Sequence, residues 1–134
     1  MIEVYTDAAS KGNPGPSAIG FFIKTQKQKF HESSYIGVYS NHEAEFIAVI
    51  KSLKYCQNHF SNEIISIRSD SKVVVDTVDK NHTKNKQFVP YLNEINLISQ
   101  TFPYVFIKWI PEKQNYQADQ LARVALLNHE KHLR

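Results

Sequence analysis

Cysteine is almost missing from this chain: Cys56 stands alone, so neither an internal disulfide nor a cysteine zinc cluster can form. It reads as a small buried hydrophobe on a helix. Long apolar runs are missing too. None approaches the ~20 residues that span a bilayer, and no charged-then-apolar leader opens the N-terminus. A cytoplasmic location without a membrane partner is therefore the expectation. Blocks of Lys or Arg are absent, and the formal net charge of +3 permits phosphate binding without marking it. The six histidines are scattered without ligand spacing, which argues against zinc and against a His-based mechanism. Repeats, linkers and low-complexity tracts do not occur.

What is there suits one folded unit. At 134 residues, 42% hydrophobic and 22% charged, residues 1–134 are expected to form a single domain that needs no staples. Met1 to Thr6 alternates apolar and polar residues of strand-favouring type, which predicts a first strand with Asp7 at its end. The following run is dense in turn formers: Gly12 and Gly15 permit positive φ, Asn13 can bond its own backbone, and Pro14 and Pro16 fix φ near about −65°. Ser17 to Lys24 and Lys29 to Val38 read as two more strands around the polar turn Thr25 to Gln28, forming an antiparallel meander with the first.

From Asn41 the period changes. Phe46, Ile47, Val49, Ile50 and Leu53 recur at helical spacing, predicting a helix from Asn41 to Asn58 with Ser40 or Asn41 as N-cap. Glu63 to Ser69 is a strand followed directly by Asp70, and Ser71 through Val78 is a short helix capped by Asp70 or Ser71. The polar connection Asp79 to Gln87 carries Lys80, Lys84 and Lys86. Phe88 to Ser99 is a helix with Pro90 in its first turn. Tyr104 to Ile110 is a strand in which Trp109 reads as packing. Tyr116 through Leu127 is the closing helix, with Asp119 near its start.

Strands first, then helices alternating with strands, predict an α/β fold: antiparallel hairpin strands leading into parallel strands joined by right-handed crossovers. In such open sheets the chemistry sits outside the carboxyl ends of the parallel strands. Asp7 and Asp70 both follow such ends, and Glu45 and Asp119 lie near the starts of helices that can abut the same rim. Taken singly, Asp7 is an ordinary turn residue, Glu45 a charge near the positive end of its helix and Asp70 an N-cap. Together they predict something else. Four carboxylates within a few ångström would take up protons unless cations offset them, and an all-oxygen site suits Mg²⁺ or Mn²⁺. Two such ions ~3.5–4 Å apart clamp the attacking and leaving oxygens of an in-line phosphoryl displacement, so phosphodiester hydrolysis is the expected reaction.

Four motifs, in order and spacing, resemble the signatures of type 1 ribonuclease H. They are Asp7-Ala8-Ala9-Ser10-Lys11-Gly12-Asn13-Pro14-Gly15-Pro16, Asn41-His42-Glu43-Ala44-Glu45, Ser69-Asp70-Ser71 and Asn115-Tyr116-Gln117-Ala118-Asp119-Gln120-Leu121-Ala122. The resemblance covers essentially the whole chain and implies a five-stranded mixed sheet with flanking helices. It implies cleavage of the RNA strand of RNA–DNA hybrids with Mg²⁺ or Mn²⁺, two ions being held with substrate, leaving 3′-hydroxyl and 5′-phosphate ends. By the same resemblance Asp7 bridges both ions, Asp119 holds the ion that activates water, and Glu45 with Asp70 holds the ion facing the leaving oxygen. Asn13 and Ser40 match positions that grip a phosphate of the DNA strand. Asn41, His42 and Lys72 match positions along the RNA minor groove, where 2′-hydroxyls distinguish RNA from DNA.

Two departures stand out. Many relatives carry a His in the loop before the last Asp, which aids product release; the shorter loop Ile110 to Asn115 has none, and Glu112 is the candidate to stand in. The basic, tryptophan-bearing helical protrusion of some relatives is also missing, so weaker hybrid affinity is expected. The alternatives are a ribonuclease H-like binding protein with weak or no turnover, and a nuclease of the same fold acting on another duplex. A monomer without a disulfide partner is expected.

Overall fold

The alternating N-terminal segment forms β1 (Ile2–Ser10), in which Ile2, Val4 and Thr6 are buried. It pairs antiparallel with β2 (Gly15–Lys24), which pairs antiparallel with β3 (Lys29–Tyr39). On its other side β1 pairs in parallel with β4 (Ile64–Ser69), and β4 with β5 (Tyr104–Trp109), giving the sheet order β3-β2-β1-β4-β5. These relations come from a computed structural model that describes residues 1–133. The expected mixed α/β architecture is the one observed.

Each helix begins where local chemistry tells it to. In α1 (Asn41–His59) the Ser40 hydroxyl accepts from the Glu43 N–H at 3.2 Å, while the Glu43 carboxylate accepts from the Ser40 N–H at 3.3 Å. This reciprocal cap satisfies donors that the first turn would otherwise leave open, and it settles the N-cap as Ser40. For α2 (Lys72–Lys80) the cap is Ser71, whose hydroxyl accepts from the Val74 N–H; Asn81, at φ 52°, ends the helix. Asp70 is thus free of capping duty. Helix α3 (Val89–Ser99) carries Pro90 in its first turn, and a short 3₁₀ turn (Glu112–Gln114) leads into α4 (Tyr116–His132).

Helix α1 covers one face of the sheet, where Phe46, Val49 and Leu53 join Val4, Ile19, Ile23, Ile65, Ile67 and Ile95 in the core. Cys56 lies in this core with no exposed surface. Helix α4 covers the other face at Gly20. A Cβ at Gly20 would lie 2.7 Å from the Ala122 nitrogen and 2.8 Å from the Ala118 carbonyl oxygen, so only glycine lets the helix approach this closely.

Helix α4 runs five residues past the expected Leu127, and β1 continues four residues past Thr6, which is the departure that bears on the site. Asp7, Ala8, Ala9 and Ser10 pair with Gly20, Ile19, Ala18 and Ser17. Asp7 therefore sits inside a strand and not at its end. The Asp-Ala-Ala-Ser run has weak strand propensity; pairing with β2 overrides it. Trp109 also differs: it is 44% exposed at the end of β5, and its indole N–H donates to the Asp70 carbonyl at 3.1 Å.

Candidate active site

The parallel ladder between β1 and β4 stops at the pair Thr6–Ser69, whereas β1 stays paired with β2 as far as Ser10. Beyond Thr6, β1 thus loses its neighbour on the β4 side. A cleft of about 320 Å³ is lined by Asp7 to Ser10, Glu45, Asp70, Glu112, Asp119 and Arg123 among others. The freed Ala8 N–H points to two acids at once, donating to Asp7 Oδ1 at 2.9 Å and to Glu45 Oε1 at 3.2 Å. Chain connectivity explains the convergence. Asp7 is one residue past the last parallel pair, Asp70 one residue past the end of β4, Glu45 in the second turn of α1 and Asp119 in the first turn of α4.

Three of the four expected acids form a tight group: one carboxylate oxygen each from Asp7, Glu45 and Asp70 lies within 4.8 Å of the others. Asp119 lines the same cleft but faces a cation of its own. The Arg123 Nε–H, one turn along α4, lies 3.0 Å from both Asp119 oxygens. This i,i+4 pair has a sequence signature, an Asp followed four residues later by Arg on a helix. Asn115 opens the fourth sequence motif, which gave it no role of its own. Its side-chain N–H₂ donates to the Thr6 carbonyl at 2.8 Å and to Asp70 Oδ2 at 3.2 Å.

Burial and mutual repulsion set the electrostatics. Burial, followed by the nearby Asp70 charge, pushes the Asp7 carboxyl up to about 7. Glu45 is also driven well above the usual carboxylate range, first by burial and then by Asp7. Asp70 shifts upward for the same leading reason, with the Asn115 hydrogen bond opposing it. Glu45 Oε2 is buried without a hydrogen-bond partner. An acceptor left open in this way, within a group of hard oxygen donors at separations close to those around a divalent cation, fits such an ion. Among the described residues the group contains no His or Cys, so the donor set does not suit zinc.

Of the expected substrate contacts, Asn41 lines this cleft. Asn13 Oδ1 accepts from the Asn41 N–H at 2.9 Å, which ties the loop after β1 to the start of α1 next to Ser40. His42 is exposed, with its ring edge-on to Phe88 at 6.0 Å. Lys72 is exposed at the start of α2, its ammonium 5.0 Å from the centre of the Trp109 ring. Glu112, in the 3₁₀ turn, lines the cleft itself.

Residues 5–125 match the family described as reverse transcriptase-like. The chain belongs to this family. As a reverse transcriptase-like protein it is 43% identical over 127 residues to the "Putative hydrolase EbsB" of Enterococcus faecalis, across 94% of each chain. It is 29% identical over 131 residues to ribonuclease HI of Halobacterium salinarum, covering 93% of this chain and 64% of that protein. Among solved structures it is similar to LC11-RNase H1 in complex with an RNA/DNA hybrid, at 28% identity and a TM-score of 0.89 over 100% of both chains. The resemblance to type 1 ribonuclease H carried by the motifs thus holds in family, relatives and fold.

Proposed function

We propose that residues 1–134 act as one ribonuclease H-like domain, a divalent-metal-dependent endoribonuclease that hydrolyses the RNA strand of RNA–DNA hybrids and leaves 5′-phosphate and 3′-hydroxyl ends. The observation that carries this reading is the group of Asp7, Glu45 and Asp70 oxygens within 4.8 Å of one another, in a cleft at the carboxyl ends of parallel strands. The likeness to ribonucleases H and to a hybrid-bound RNase H1 structure supports the substrate class.

Asp7, Glu45, Asp70 and Asp119 would hold two Mg²⁺ or Mn²⁺ ions. Bound there, the ions would make a hydroxide available near neutral pH and stabilise charge on the attacking and leaving oxygens. The rest of the site positions the substrate. Asn13 and Ser40 flank the start of α1, where backbone N–H groups and the helix dipole favour a phosphate. Asn41, His42 and Lys72 are the candidates for reading 2′-hydroxyls across the minor groove. Glu112, which is exposed and lines the cleft, is the candidate to assist departure of the product.

A labelled RNA–DNA hybrid incubated with Mg²⁺ or Mn²⁺ tests the reading. Cleavage is expected, with loss of cleavage in Asp70→Asn and on a substrate whose RNA strand lacks 2′-hydroxyls. No cleavage with either ion, or full activity in Asp70→Asn, would overturn it.

A further inference from the structure

Asn115 is 1% exposed and occupies the N-cap position of α4, yet its side chain makes no capping bond. An N-cap Asn ordinarily turns its side-chain oxygen onto the backbone N–H groups of the first turn, which stabilises the helix start. Here the amide is directed elsewhere. Its nitrogen spans the Thr6 carbonyl at 2.8 Å and Asp70 Oδ2 at 3.2 Å, and its oxygen is left buried without a partner. The orientation is dictated by chemistry, because the flipped amide would set an acceptor against two oxygens. Both the forgone cap and the unsatisfied oxygen disfavour the local fold.

The same residue bears on the other acids of the cleft. Its backbone carbonyl accepts from the Asp119 N–H at 3.1 Å, and Thr6, which its side chain holds, directly precedes Asp7. One residue therefore links the end of β1, the carboxylate after β4 and the first turn of α4. Its side chain is a neutral donor on one of the clustered carboxylates.

We propose that Asn115 is a positioning residue: its amide fixes the Asp70 carboxylate for cation binding, and its backbone registers Asp119 against that carboxylate. The inference rests on the metal-dependent reading of the cleft but concerns a residue outside it. Removing a hydrogen-bond partner of a ligating carboxylate lowers metal affinity by about 10- to 100-fold. Asn115→Ala should weaken Mn²⁺ binding by that factor in calorimetry without nucleic acid. In cleavage assays kcat at fixed low Mn²⁺ should fall while the KM for hybrid is kept, and added Mn²⁺ should restore kcat.

A purely structural role would lower the melting temperature and leave Mn²⁺ affinity unchanged in the folded fraction; that outcome would overturn the proposal. A second measurement uses the wild-type chain, so a variant that fails to fold does not decide the matter. In a Mg²⁺ titration followed by NMR, the Asn115 side-chain amide resonances should move with the midpoint of calorimetric binding, and resonances that stay in place would overturn the proposal. A wild-type protein that binds Mn²⁺ but does not cleave hybrids would sink the proposed activity alone. A wild-type protein that cleaves, with an Asn115→Ala variant matching it in Mn²⁺ affinity, would sink this inference alone.

Discussion

Asp7 shows at the scale of one residue how the cleft opposes folding when no cation is bound. Its carboxyl is raised from 3.8 to about 7 in the folded chain by burial and by Asp70. Over that interval the folded Asp7 carboxyl holds a proton that the unfolded one has released, so its contribution to stability without metal is fully present below about pH 4 and is lost as pH rises through 7. Glu45, shifted in the same direction, reinforces the slope. Melting in EDTA should therefore show a temperature that falls by several degrees between pH 5 and pH 8. Asp7→Asn should flatten that decline and melt higher than wild type at pH 8, while Mg²⁺ should restore the wild-type protein at pH 8. A wild-type melting temperature that climbs with pH in EDTA would contradict this account.

Among the elements, α4 depends most on a single contact, its seat on Gly20. A methyl group at Gly20 would meet the Ala122 nitrogen and the Leu121 Cβ at 2.7 Å, so Gly20→Ala must push the helix outward. A loss of about 1–3 kcal/mol, read as a lower denaturant midpoint, is expected. Because Asp119 rides on the same helix, activity should fall further than stability alone explains. At this scale much was legible in the sequence. Periodicity located all five strands and four α-helices, since burial on one face leaves a pattern of two or 3.6 residues. The extension of β1 past Thr6 was not legible, because Ala8 and Ala9 have little strand preference and are held by their partners on β2. The acids and their roles were found from order and spacing, and Asn115 was found as part of a motif but not its role: an Asn before a helix looks the same whether it caps its own turn or reaches across to another strand. The role of Arg123 as a neighbour of Asp119 could have been read from the i,i+4 spacing.

For the whole molecule the formal charge of +3 and the scattering of Lys and Arg leave few contacts for a polyanion. If about 2–4 phosphates are neutralised, log affinity for a hybrid should fall against log salt with a slope of about −2 to −3.5. Hybrid binding measured in Ca²⁺ between 50 and 200 mM salt checks this, and a salt-independent affinity would mean that contacts to bases or sugars dominate. The location of the cleft has a consequence of its own. It is a dropped stitch in the weave of the sheet: β4 turns away after Ser69 while β1 runs on to Ser10. Knitting β4 forward by a few residues would mend that gap with backbone and displace the acids, even with every one of them kept in the sequence. The length of one neighbouring strand therefore governs whether this surface can host chemistry at all.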